Sequence, residues 1–147
     1  MAKVDLSVTI ARPVSDVYRV LTTPELTARW SSNAIEEHMT TPGPVRVGSR
    51  RRATVRRPGG GTTENEIEVT AIEPERSMAV RSIEAPVPFT SSWTFTPVGD
   101  ATRVDWRWDF QLRGWMRPID IILGPAFART YRRDLDRLKS MMESGEL

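Results

Sequence analysis

The stretch "RVDWRWDFQL", residues 103–112, alternates with a period of two. Val104, Trp106, Trp108 and Phe110 take every second position, and Arg103, Asp105, Arg107, Asp109 and Gln111 fill the gaps. A β-strand sends successive side chains to opposite faces, so this pattern demands a strand that is apolar on one face and charged on the other. Two tryptophans and a phenylalanine on one face must be covered. They fill a core, line a pocket or form an exposed docking surface.

The rest of the chain supplies the covering elements. Val4–Ile10 alternates as a strand. Pro13 opens a short helix over residues 13–22, with Ser15 and Asp16 as acceptors for its free N–H groups, and Pro24 opens a second through Trp30. Five further strands are expected at Ala34–Thr40, Gly48–Arg57, Thr63–Ile72, Arg76–Ala85 and Phe89–Pro97. "PGGG" (58–61) and "VGDA" (98–101) act as hairpin tips. Beyond the opening stretch, Ile119, Ile122, Leu123, Ala126, Phe127, Tyr131, Leu135, Leu138 and Met142 follow the three-four spacing of an amphipathic helix. Gly124-Pro125 is expected to bend or divide that helix, leaving Pro125–Met142 as its main segment.

Six consecutive strands on short turns read as an antiparallel meander. With the first strand on one edge and one long helix over one face, the fold class is α+β, a curved sheet gripping a helix. At 147 residues the chain suits one domain, 1–147. No 18-residue apolar run exists to cross a membrane, and the N-terminus lacks an apolar signal core, so a cytoplasmic protein is expected. The absence of cysteine excludes disulfides and thiolate chemistry. With one histidine, no metal or other cofactor is expected. Of 21 basic residues 19 are arginine, five of them in "RRRATVRR" (50–57), yet 19 acidic residues leave a net charge of only +2. That balance argues against nucleic acid as the partner.

The segments "VTIARPVSDVYRVLTTPELTARW", "VTAIEPERSMAVRS" and "WTFTPVGDATRVDWRWDF", followed by a terminal helix, resemble the START/Bet v 1-like (SRPBCC) superfamily. Within it they are most similar to the polyketide cyclase/dehydrase and lipid-transport group. The resemblance runs from about Lys3 to Met142. It implies a helix-grip fold with a hydrophobic cavity between sheet and C-terminal helix. It also implies that Trp106, Trp108 and Phe110 face inward with Trp93 and Phe95, partly as core and partly as cavity wall. Such motifs specify a fold; a reaction has to be argued from the site.

Several side chains are candidates for that cavity. Met78, Val80 and Ser82 share one strand parity, and Ser91 shares another with Trp93 and Phe95. The two serines either hydrogen-bond a ligand or act as small spacers. Phe127 and Tyr131 lie on the helix's apolar stripe. Glu37 shares parity with Ile35 and Met39, and Arg51 with Ala53 and Val55. An inward pair of Glu37 and Arg51 is the weak catalytic candidate, and a one-residue register slip would turn both outward. His38 then points away from the cavity. Arg129, Arg132, Arg133, Asp134, Asp136 and Arg137 read as the solvated face of the helix. Trp115, Met116, Ile119, Ile122 and Leu123 make residues 113–125 a cavity rim, a homodimer contact or a membrane-surface patch, without stable membrane insertion.

Three functional readings result. The first is a binder of a small hydrophobic or aromatic molecule, lipid or polyketide-like. The second is a cyclase or dehydratase-like enzyme, with Glu37 or a bound water as base and Arg51 steadying oxyanion charge. The third is an interaction module, chaperone-like or meeting RNA through Arg50, Arg52 and Arg56.

Overall fold

The computed structural model describes residues 2–57, 60–111 and 120–147, with the side chains of its C-terminal helix from Gly124 onward. The strands are β1 (Ala2–Ile10), β2 (Ala34–Met39), β3 (Arg50–Arg56), β4 (Thr62–Glu73), β5 (Ser77–Glu84), β6 (Phe89–Val98) and β7 (Ala101–Phe110). The helices are α1 (Val14–Leu21), α2 (Thr27–Trp30) and α3 (Asp120–Ser144), with a 3-10 turn at Pro24–Leu26.

The seven strands form one antiparallel sheet in the order β1-β7-β6-β5-β4-β3-β2, curled into a half-barrel. Alternation within each strand explains its inner face: on β7, Val104, Trp106 and Phe110 are buried while Arg103 and Arg107 are exposed. The β6–β7 hairpin turns on Gly99, whose φ of 60° lies in the left-handed region that favours glycine. The long helix α3 packs chiefly along β1, and Leu135, Leu138 and Met142 are fully buried on its apolar stripe beside Ile10, Val17 and Val104.

Polar ties fix the helix in place. Arg12 donates to the Met142 carbonyl at 2.7 Å and to Asp16 Oδ2 at 2.8 Å. The Ala11 N–H donates to Glu143 Oε2 at 2.8 Å. On the open edge of β1, Arg132 caps the Ser7 carbonyl and Lys139 the Thr9 carbonyl, each at 2.7 Å. Unpaired strand edges invite pairing with other chains, and these basic side chains occupy this one.

The structure departs from expectation at several points. The C-terminal helix is one continuous element with Pro125 inside it. Proline removes one hydrogen bond, and the buried residues downstream hold the helix together. The N-cap of α1 is Pro13 without a side-chain cap, because Asp16 is taken by Arg12. The second short helix begins as a 3-10 turn before α2. Asp134 lies on the inner side of α3 at 2% exposure and accepts the Ser32 N–H at 3.1 Å. A bulge in β2 between Ala34 and Glu36 turns Ile35 out to 42% exposure, so the parity assumed for Ile35 and Glu37 breaks there. A second bulge, between Val69 and Ala71, exposes Ala71 and turns Ile72 toward the core. Leu112 and residues 113–119, including Trp115 and Met116, lie outside the described residues, as do the side chains of Ile122 and Leu123.

Candidate ligand-binding site

Between the curled sheet and α3 lies a cavity of about 840 Å³. One wall is aromatic. Trp93 and Trp106 stack with ring centres 4.3 Å apart and planes within 10°, and Trp30 meets both edge-on at 6.1 and 5.9 Å. Trp108 lies parallel to Phe110 at 5.3 Å and nearly parallel to Tyr131 at 5.0 Å. Phe127 continues the series against Phe110 at 4.7 Å. These rings reach one another because β6 and β7 present alternate residues inward while α3 presents Phe127 and Tyr131 four residues apart. The rings serve as core toward the sheet and as wall toward the cavity.

The opposite wall is polar. Cross-strand register sets Ala53 between Glu37 on β2 and Asn65 on β4, so a methyl group separates two polar side chains. Arg51, two residues from Ala53, faces the same way. Its Nε lies 3.5 Å from Glu37 Oε1, and the two side chains are only 14% and 9% exposed. That is ion-pair distance, yet the Nε–H makes no hydrogen bond and remains buried without a partner. Burial raises the Glu37 carboxyl above the ordinary carboxylate range. Arg51 and the Thr27 hydroxyl pull it back, and Glu25 adds to the rise.

Other expected residues fall in two groups. Val80 and Ser91 line the cavity with the aromatic residues. Ser91 Oγ accepts the Trp106 indole N–H at 3.1 Å. Tyr131 also lines the cavity, its phenol pushed far up by burial and by Asp134. Met78 and Phe95 are instead buried in the core outside the cavity lining, where Phe95 meets Tyr18 edge-on at 5.7 Å. Ser82 closes the β5–β6 hairpin by accepting the Phe89 N–H at 2.9 Å, so its hydroxyl serves the backbone.

His38 is exposed and lies 4.0 Å from Glu36. The basic run divides by face. Arg50 meets Glu66 and Glu68 at 3.7 and 3.5 Å, and Arg52 meets Glu64 at 3.1 Å. Arg56, expected to face outward with them, lies at the cavity lining with Arg57.

Trp30, Thr27 and Asn65 line the cavity without having been singled out from sequence. Asn65 carried a usable signal, an amide in parity with Ile67 and Val69 on an apolar strand face. Trp30 carried none, since a four-residue helix has no readable periodicity. Four polar atoms of lining residues are enclosed by their protein neighbours and have no hydrogen-bond partner: Trp30 Nε1, Arg51 Nε, Asn65 Oδ1 and Trp108 Nε1. Among the described residues, no helix is long and apolar enough to cross a membrane.

A half-barrel closed by a long helix over an apolar, polar-ended cavity defines a helix-grip α+β domain. The family model for polyketide cyclase / dehydrase and lipid transport matches residues 1–143, and the chain belongs to that family. Among solved structures it is similar to DR_A0006 from Deinococcus radiodurans, at 25% identity over 97% of this chain and 98% of that one, with a TM-score of 0.73. TTHA0849 from Thermus thermophilus superposes with a TM-score of 0.82 at 17% identity, covering 99% of both chains. The di-domain ARO/CYC protein BexL from the BE-7585A biosynthetic pathway has a TM-score of 0.78 at 16% identity, covering 97% of this chain and 47% of that one. No curated protein matches the sequence.

Proposed function

We propose that the chain binds a small, largely apolar molecule with polar oxygen-bearing groups, lipid or polyketide-like, in the cavity between sheet and α3. The observation that carries this reading is the cavity itself, about 840 Å³, walled by stacked aromatic rings and with the Glu37–Arg51 pair in its lining. The aromatic wall favours an apolar body, and the guanidinium in the lining favours a ligand that also carries an oxygen acceptor. The contiguous rings of Trp108, Phe110, Tyr131 and Phe127 form an aromatic wall for an apolar body to lie against.

A second reading, cyclase-like catalysis in the same cavity, is favoured by one observation. Glu37, with its raised pKa, sits beside a guanidinium in a desolvated site, the arrangement that proton transfer and oxyanion stabilisation use. The family description, polyketide cyclase / dehydrase and lipid transport, supports polyketide-like chains as the substrate class of this reading.

Native mass spectrometry of the purified protein, with organic extraction and identification of co-purifying compounds, tests the binding reading. Tryptophan quenching by a panel of apolar and aromatic compounds complements it. A bound compound, or saturable quenching that survives Glu37→Gln, supports binding. Turnover lost in Glu37→Gln moves the conclusion to catalysis. A protein that carries nothing and responds to none of the panel overturns both.

A further inference from the structure

The Glu37–Arg51 pair has an unusual form. The two groups are close enough to neutralise each other, but at 3.5 Å the buried Nε–H makes no hydrogen bond to the carboxylate. A charge buried without good hydrogen bonds is costly, and a structural ion pair normally satisfies its donors. This pair holds a cation in the cavity wall that is not hydrogen-bonded to its counter-ion through Nε.

Building on the binding reading above, we propose that Arg51 recognises an oxyanion on the ligand, and that Glu37 is an internal counter-ion which yields its place by taking a proton from solvent. The site would then select molecules that carry a carboxylate, sulfonate or phenolate on an aromatic or apolar body.

Two anions beside one guanidinium in a low-dielectric pocket cannot both stay ionised, so one is neutralised. Glu37 is the one disposed to accept the proton, since burial already disfavours its charge and Glu25, on the preceding 3-10 turn, adds repulsion. Around it, Arg51 on β3 and the Thr27 hydroxyl on α2 favour the ionised form. Its strand neighbours Glu36 and His38 turn outward and face each other.

Proton uptake sets a pH dependence of definite sign. An anion beside Arg51 raises the Glu37 pKa above its value in the empty site. Between those two values, binding takes up a proton and affinity falls as pH rises.

Two fluorescent probes test this: anilinonaphthalene sulfonate and its uncharged counterpart N-phenylnaphthylamine. The sulfonate stays ionised throughout, so any titration belongs to the protein. Calorimetry in buffers of different ionisation enthalpy should report proton uptake with the sulfonate and none with the neutral probe. Arg51→Gln should weaken the sulfonate by about tenfold or more, the loss of a charge-assisted hydrogen bond, and leave the neutral probe unchanged. Glu37→Gln should bind the sulfonate at least as tightly and without pH dependence. The Glu37→Gln/Arg51→Gln double variant buries no charge at this position and serves if the single arginine variant folds poorly. It should bind both probes alike.

Equal weakening of both probes in Arg51→Gln, no proton uptake at any pH, or an unchanged pH profile in Glu37→Gln overturns the counter-ion role while leaving the cavity a binding site. Failure of both probes to enter the wild-type cavity instead overturns the binding reading, and this inference with it.

Discussion

The indole N–H of Trp106 on β7 donates to the hydroxyl of Ser91 on β6 at 3.1 Å, inside the buried layer that separates core from cavity. The serine lets a tryptophan lie flat against Trp93 without stranding its donor. Ser91→Ala strands it, and should lower stability by about 1–3 kcal/mol. Urea unfolding followed by far-UV circular dichroism measures this. A loss within error of zero means that a water or a shifted ring replaces the hydroxyl.

The grip of the sheet on α3 rests on Leu135, Leu138 and Met142, each fully buried. Leu138→Ala should destabilise the protein by about 2–5 kcal/mol, combining lost transfer energy with a residual cavity. Thermal or chemical denaturation would detect it. A cost under about 1 kcal/mol would mean that the helix relaxes into the gap.

Ala53 lies between Glu37 and Asn65 and faces the cavity. Ala53 is itself only 2% exposed, so Ala53→Leu should push into the cavity wall, weaken N-phenylnaphthylamine binding and cost about 1–3 kcal/mol of stability by overpacking. Fluorescence titration and a melting curve on the same sample separate a blocked cavity from a misfolded protein. Undiminished binding would place the probe elsewhere.

Burial raises the carboxyl of Asp134, partly countered by the Ser32 N–H and the Ser31 and Ser32 hydroxyls, and it raises that of Glu37. A carboxyl whose folded pKa lies above its unfolded value contributes stability that is fully present below the unfolded pKa. That contribution is lost as pH rises through the folded pKa. Glu143 runs the opposite way, held low by Lys139 and the Ala11 N–H; its contribution is present above the unfolded pKa and lost as pH falls through the folded pKa. Asp134→Asn removes one rising-pH loss and leaves Glu143 intact. Its stability relative to wild type should therefore improve as pH climbs out of the acidic range. Parallel curves for the two proteins would show that Asp134 titrates alike in folded and unfolded chains.

Gly124 sits inside α3 with an ordinary helical backbone, and a Cβ there meets nothing within 4 Å. Gly124→Ala should stabilise by about 0.5–1 kcal/mol, from helix propensity alone. A rise in the melting midpoint checks it; destabilisation would reveal a requirement for glycine beside Pro125.

Sequence alone carried the strand count, the inward face of β7, the antiparallel meander and the long terminal helix. Period-two and three-four patterns are local and survive any tertiary arrangement. The hairpin at Gly99-Asp100 was legible for the same reason, since a two-residue loop requires particular backbone angles. Of the site, parity set Trp106, Trp108 and Phe110 on one strand face and helical spacing set Phe127 and Tyr131 on one stripe, while the inward direction of the strand aromatics came from the family resemblance. Other features were decided only by the folded chain. The bulge that exposes Ile35 leaves Glu37 facing the cavity, because one inserted residue reverses every later side chain and no local pattern marks it. Asp134 reads as surface in a helical repeat and becomes buried because the α2–β2 turn brings the Ser32 N–H to it. Ser82 shares an inward parity but is claimed by the Phe89 backbone, while Met78 and Phe95 share it and lie in solid core. The convergence of Trp30, Arg51, Asn65 and Trp108 on one cavity depends on sheet curvature. That quantity is summed over seven strands and is held by no single segment.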